Sequence, residues 1–185
     1  METKIIPYLN GGRNLCITGC AILVRGNDLL SKAIECFSVF SHCAPIVRMD
    51  EYLGTPDRVT LIEALEHGLT LTLLSERFQG YSGQVFLFIP VGLKPEIQAK
   101  LRSEMLVQLA QGTPYDYKAL FANALGHTKE NAAQQFCSEA YGLALEGVGI
   151  QRKPEFQSDL APRPGDVATW WDGELIELVG PFMTG

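Results

Sequence analysis

The sequence predicts an α+β fold with a mostly antiparallel sheet packed against helices. Short apolar stretches typical of strands occur beside longer stretches that have apolar residues every three or four positions. The two kinds of stretch do not alternate strictly, whereas a parallel sheet with crossover helices requires such alternation. The chain has 185 residues, of which 46% are hydrophobic and 19% charged. A chain of this length and composition can bury a hydrophobic core, and we expect one domain over residues 1–185.

Strands dominate the first half of the chain. The apolar stretches of strand length cover residues 21–25, 42–49, 59–64, 69–74 and 84–89. A helix over residues 29–40 is predicted between the first two strands, because its apolar residues follow helical spacing. The sequence Glu66-His67-Gly68 predicts a turn before the fourth strand.

Helices dominate the second half. One amphipathic helix is predicted from Pro95 to Gly112, and a second helix is predicted over residues 117–125. Residues 132–145 are predicted to form a helix, or a loop followed by a helix. The sequence Arg163-Pro164-Gly165-Asp166 predicts a turn, which leads into a final strand over residues 167–171.

Charge and composition exclude several classes of partner. The formal net charge is −6 and no block of Lys or Arg occurs, so nucleic acid and anionic membrane surfaces are not expected as main partners. No stretch is apolar enough for an integral membrane segment, and the N-terminus lacks the pattern of a secretory signal. We therefore expect a cytoplasmic protein, although a virion-associated protein or one exported by another route would have the same features.

The five cysteines favour reduced thiols over a disulfide framework, because their number is odd and no export signal precedes them. Four of them lie in the first quarter of the chain, near His42: Cys16, Cys20, Cys36 and Cys43. None of these forms a C-x2-C pair, so a metal site is not expected. Glycine motifs that bind phosphates are also missing, and no cofactor is expected.

Cys137 is the candidate nucleophile. Polar or small residues precede it and an apolar helical pattern follows, which predicts a position near a helix N-terminus. There the helix dipole and the unbonded N–H groups stabilise a thiolate and can hold an oxyanion. The alternative interpretation is a small buried thiol, which is the commoner role of cysteine.

His42 is the candidate base, because it opens an apolar strand while the other two histidines have surface contexts. His67 lies in the predicted turn, and His127 follows the end of a predicted helix. The alternative for His42 is a core histidine whose hydrogen bonds are satisfied.

Glu63 is the candidate for orienting the imidazole. Strand alternation places it on the same face as Val59 and Leu61, where a buried carboxylate needs a partner. The alternative is an edge-strand glutamate that reaches solvent. Asp50 and Glu51, at the end of the His42 strand, are fallback candidates.

Five short segments stand in a distinctive order. They are Ser41-His42 at the start of a strand, Ile62-Glu63-Ala64 before Gly68-Leu69, Gly112-Thr113-Pro114-Tyr115-Asp116, Phe136-Cys137-Ser138-Glu139, and Arg163-Pro164-Gly165-Asp166. This order resembles that of the circularly permuted NlpC/p60 proteins, which are papain-like thiol hydrolases of the YiiX-like and lecithin retinol acyltransferase-like type. In that permutation the histidine precedes the cysteine, as it does here.

The resemblance implies a papain-like α+β fold and a thiol chemistry. Residue by residue, it makes Cys137 the nucleophile, His42 the base and Glu63 the third polar residue, with Tyr115 and Asp116 at the substrate. It also implies a peptide or acyl substrate, either amide bonds of cell-wall peptides or lipid-like esters and amides. We therefore expect a cysteine hydrolase (amidase or peptidase) or an acyltransferase.

Two other functions stay open, and so does the oligomeric state. One is a catalytically inactive papain-like binding or structural module, such as a component of a phage particle or toxin system, and a weaker one is a small zinc protein. The chain departs from the family pattern at Gly19-Cys20 and at Cys43-Ala44-Pro45. Because Pro45 lacks a backbone N–H, we expect its strand to lie at a sheet edge or to bulge there.

Overall fold

A computed structural model describes residues 3–26, 38–50, 57–65, 68–110, 129–157 and 160–182. The described residues form seven strands, named β1 (Lys4–Pro7), β2 (Ala21–Arg25), β3 (His42–Met49), β4 (Arg58–Leu65), β5 (Gly68–Leu73), β6 (Gln84–Pro90) and β7 (Gly173–Val179). They also form five α-helices, named α1 (Arg13–Leu15), α2 (Leu74–Arg77), α3 (Pro95–Ala110), α4 (Lys129–Gly147) and α5 (Pro164–Trp170). A distorted π-helical turn covers Tyr8–Gly12, and a short 3₁₀ helix covers Pro154–Phe156.

The seven strands form one sheet in the order β1-β7-β6-β2-β3-β4-β5. Every neighbouring pair is antiparallel except β1 and β7, which are parallel. The prediction of an α+β fold with a mostly antiparallel sheet is therefore confirmed. Within the described ranges, no helix is both long enough and apolar enough to cross a membrane.

Each face of the sheet has its own hydrophobic cluster. The first cluster contains Ile22, Ala44, Ile46 and Leu61 together with Leu74 of α2. The second cluster contains residues from the alternate strand positions and from helices α3, α4 and α5, among them Leu23, Cys43, Val47, Ile62, Met105, Tyr141 and Val167. Because side chains alternate between the faces of a strand, the parity of a residue in β3 or β4 determines which cluster it joins.

The strand that contains Pro45 is not an edge strand, so that part of the expectation is wrong. β3 lies between β2 and β4 in the interior of the sheet. The N–H of Ile46 donates to the carbonyl of Cys20 on the β2 side at 2.8 Å, so the nitrogen of Pro45 faces the β4 side. There the pairing with β4 runs only from Ile46 to Met49, and the missing donor removes no bond from that register.

The C-terminal elements differ from the prediction. Residues 164–170 form helix α5 instead of leading into a strand, and the last strand is β7. Pro164 occupies the first turn of the helix, and the carboxylate of Asp166 accepts a hydrogen bond from the N–H of Arg163 at 2.8 Å. A proline in the first turn followed by a capping carboxylate starts a helix as readily as it forms a turn.

The other predicted elements fall into two groups. The strands over residues 21–25, 42–49, 59–64, 69–74 and 84–89 and the helices starting at Pro95 and within residues 132–145 are confirmed, with ends shifted by a few residues. The predicted helices over residues 29–40 and 117–125 lie mostly or entirely outside the described residues, and so do Glu66 and His67 of the predicted turn.

Helix α4 is anchored to the molecule by three contacts. The hydroxyl of Tyr141 donates to the carbonyl of Gly19 at 2.7 Å, and the hydroxyl of Ser138 donates to the carbonyl of Pro162 at 2.6 Å. At Gly142 the helix backbone approaches the fully buried Trp171 so closely that an added Cβ would lie 2.8 Å from the indole ring. These contacts fix the position of α4 over the second cluster.

We predict that Gly142→Ala lowers the free energy of unfolding by about 1–2 kcal/mol, because overpacking against Trp171 outweighs the better helix propensity of alanine. Gly147→Ala is the matched control on the same helix, since its Cβ would meet nothing closer than 3.7 Å, and we expect it to be neutral or slightly stabilising. Urea unfolding of both variants checks this. Equal changes in the free energy of unfolding at the two positions would show that the close approach to Trp171 does not affect stability.

Candidate active site

His42 and Glu63, two of the three residues expected at a catalytic site, are in direct contact. Nε2 of His42 lies 3.0 Å from Oε1 of Glu63, although the residues are 21 positions apart in the sequence. The β3–β4 register pairs Ile46 with Leu61, and continuing it by two residues puts Glu63 beside Ala44, on the same face as His42. The imidazole side chain is 13% exposed and the carboxylate side chain 2%.

The carboxylate determines which tautomer the neutral imidazole adopts. An ionised carboxylate only accepts hydrogen bonds, so Nε2 of His42 carries the hydrogen that it shares with Glu63. Nδ1 of the neutral ring is then the nitrogen with the available lone pair. The contact therefore makes Nδ1 the basic nitrogen of His42.

Arg77 is a third member of this cluster, and no local pattern in the sequence predicted it. Its Nε–H donates to the same Glu63 oxygen at 3.1 Å. Burial raises the pKa of Glu63, but the hydrogen bond and charge of His42 and the charge and hydrogen bond of Arg77 outweigh it, and the pKa falls from 4.5 to about 2. Glu63 is therefore ionised throughout the physiological pH range.

Cys137 does not have the surroundings that the sequence predicted. Helix α4 begins at Lys129, so Cys137 lies about two turns inside the helix and not near its N-terminus. The first-turn N–H groups and the helix dipole are therefore too distant to stabilise a thiolate there. The residue is only 3% exposed, and it lines a small apolar cavity with Pro45, Ile62 and Leu69.

The sheet separates this cavity from the His42–Glu63 pair. Ile62 belongs to the second cluster, and Pro45 shares its strand parity with Cys43 and Val47 of that cluster. Glu63 has the parity of Val59 and Leu61, which belong to the first cluster. The structure therefore brings His42 to Glu63 and places Cys137 on the opposite face of the β3–β4 pair.

Three buried cysteines, Cys16, Cys20 and Cys43, are neutral thiols at physiological pH. Burial raises the pKa of Cys16 and of Cys20 to about 12. Burial also raises the pKa of Cys43 well above its usual value, with a further increase from the nearby Cys137. Because metal binding and nucleophilic attack both use the thiolate, neither chemistry is favoured at Cys16, Cys20 or Cys43 in this conformation.

Among the fallback and substrate candidates, Asp50 is the one that lies within the described residues. Asp50 forms an exposed ion pair with Arg102, with 2.5 Å between Oδ2 and Nη1. The remaining candidates lie outside the described residues, namely Glu51, His67, Tyr115, Asp116 and His127.

Comparison with known proteins does not assign the chain to a family. No protein-family model matches it, and no curated protein is significantly similar to it. The functional interpretation therefore depends on the residues and their geometry.

We predict that the stabilising effect of Glu63 is lost at acid pH. Its pKa is lower in the folded protein than in the unfolded chain, so its contribution is complete above about pH 5 and declines as the pH falls from 4.5 toward 2. This pKa shift corresponds to roughly 3 kcal/mol of unfolding free energy. Wild type and Glu63→Gln should therefore differ in unfolding free energy by a few kcal/mol at pH 6, and the difference should shrink at pH 4 and again at pH 3 in urea titrations. A difference that is constant over this range would contradict the pairing of Glu63 with His42 and Arg77.

Proposed function

We propose that the chain is a cysteine hydrolase or acyltransferase of the permuted NlpC/p60 type. The observation that carries the proposal is the 3.0 Å contact between His42 and Glu63. A histidine whose Nε2–H is held by an ionised, buried carboxylate has the orientation and tautomer that a general base requires. The order of the sequence motifs, with histidine, glutamate and then Cys-Ser-Glu, supplies the family resemblance.

In the proposed reaction Cys137 is the nucleophile and His42 transfers the protons, while Glu63 holds the imidazole in place. Nδ1 of His42 takes the proton of the Cys137 thiol, and the thiolate attacks the carbonyl carbon of an amide or ester. The leaving amine or alcohol receives the proton from His42, which leaves a thioester on Cys137. Water or an acyl acceptor then attacks the thioester, again with His42 as base, and the thiol is regenerated.

The substrate class follows from the same chemistry. A thiol nucleophile with a histidine base can attack the carbonyl carbon of an acyl group, which is consistent with a peptide or an acyl ester or amide as the substrate. The resemblance supports cell-wall peptides or lipid-like acyl groups as the source of that bond.

Catalysis through Cys137 requires a second conformation. The sulfur must come within about 4 Å of Nδ1 of His42, whereas here the sheet lies between them. This observation favours the second candidate function, a papain-like binding or structural module in which the His42–Glu63 pair only stabilises the fold. The two candidates make opposite predictions for the reactivity of Cys137 in the native protein.

A thiol-directed electrophilic probe tests the proposal. We expect the native protein to be labelled on Cys137, identified by peptide mass spectrometry, and the label to be lost in Cys137→Ala. In His42→Ala the labelling rate should fall by a factor of about 100, because general-base assistance is removed. Cys43→Ala is the matched control, since it removes the neighbouring buried thiol, and it should keep the label on Cys137.

Two results would contradict the hydrolase. One is labelling that survives Cys137→Ala, and the other is a rate that does not depend on His42. If Cys137 reacts only after the protein has been unfolded in urea, the binding module is the better description. Circular dichroism of each variant shows that the fold is retained.

A further inference from the structure

The guanidinium of Arg77 lies against the one carboxylate oxygen that contacts His42. Oε1 of Glu63 accepts from Nε2 of His42 at 3.0 Å and from Nε of Arg77 at 3.1 Å. We propose that Arg77 is a positioning residue of the proposed hydrolase, which acts on the base through Glu63 by holding that carboxylate ionised and in place. The proposal rests on the function proposed above, in which His42 is the base.

The fold brings Arg77 to this place. β4 and β5 form an antiparallel pair in which Glu63 is opposite Thr70, and α2 follows directly after β5. Leu74 at the start of α2 is fully buried in the first cluster, which fixes the short helix on the face of Glu63. The guanidinium also lies 5.5 Å from the centre of the buried Phe78 ring, a cation–π distance that restricts its orientation.

The two donors on Glu63 differ in how their charge responds to catalysis. His42 must be neutral before it accepts a proton and positive afterwards, so its interaction with Glu63 changes during each cycle. Arginine stays charged at every accessible pH, and its interaction with Glu63 is constant. Because the Glu63 side chain is only 2% exposed, a constant positive partner keeps the carboxylate ionised when the imidazole is neutral.

The ionised carboxylate in turn controls the proton on His42. A protonated Glu63 could donate its own hydrogen to Nε2, and the neutral ring would then carry its hydrogen on Nδ1, the nitrogen that has to act as base. Arg77 therefore favours the productive tautomer through its hydrogen bond to Glu63. Within the described part of the chain, the charged groups that act on Glu63 are His42 from β3 and Arg77 from α2.

Carbon-13 NMR of the Glu63 carboxyl group over a pH series tests the electrostatic part of the proposal. In Arg77→Met we expect the pKa to rise by about one unit or more from its value near 2, while Arg77→Lys, which keeps the charge, should show a smaller rise. Arg102→Met is the matched control, because Arg102 pairs with Asp50, and it should leave the Glu63 pKa unchanged. An unchanged pKa in Arg77→Met would overturn the proposal.

The pH profile of Cys137 labelling by iodoacetamide tests the positioning role. We expect Arg77→Met to lower the rate about tenfold near neutral pH, to shift the acid limb of the profile to higher pH, and to be rescued in part by Arg77→Lys. A loss of equal size at every pH would indicate a merely structural role and overturn the positioning role. If native Cys137 is not labelled at all, the proposed function fails, while the carboxyl titration still decides whether Arg77 controls Glu63.

Discussion

The carboxylate of Glu63 is the interaction on which the candidate site depends. A side chain that is 2% exposed cannot keep a charge unless donors and positive groups surround it. Here one oxygen of Glu63 accepts hydrogen bonds from His42 of β3 and from Arg77 of α2. The carboxylate on β4 therefore links β3 and β4 to the short helix that follows β5. The contact orients the imidazole as a consequence of satisfying the carboxylate.

Because side chains alternate between the faces of a strand, this contact forms only in one register of β3 and β4. A shift of one residue in the β3–β4 register would move Glu63 to the opposite face and expose its charge to the second cluster. The same rule places the apolar cavity of Cys137 across the sheet, beside Ile62. The geometry that joins His42 to Glu63 is thus also the geometry that separates both from Cys137 in this conformation.

Local patterns in the sequence were sufficient for some features and not for others. Short apolar stretches predicted strands β2 to β6, and alternation within β4 predicted the inward orientation of Glu63, because both patterns are local to the chain. The predicted position of Cys137 near a helix N-terminus was wrong, because the polar or small residues 131–135 do not precede the helix but lie within it, and it begins at Lys129. The contact between Arg77 and Glu63 was not predicted either, because it requires the β4–β5 hairpin to fold back and no local pattern encodes that folding.

The packing of α4 limits how a competent state could form. The hydrogen bonds of Tyr141 and Ser138 contribute only about 1 kcal/mol each. Burial of Tyr141 and Leu145, both fully inaccessible, contributes roughly 2 kcal/mol or more per side chain, and the contact with Trp171 adds to it. Moving the whole helix would therefore remove more free energy than rearranging the part that precedes Ser138. The packing of Tyr141 and Leu145 therefore opposes any state in which the whole of α4 is displaced to bring Cys137 toward His42.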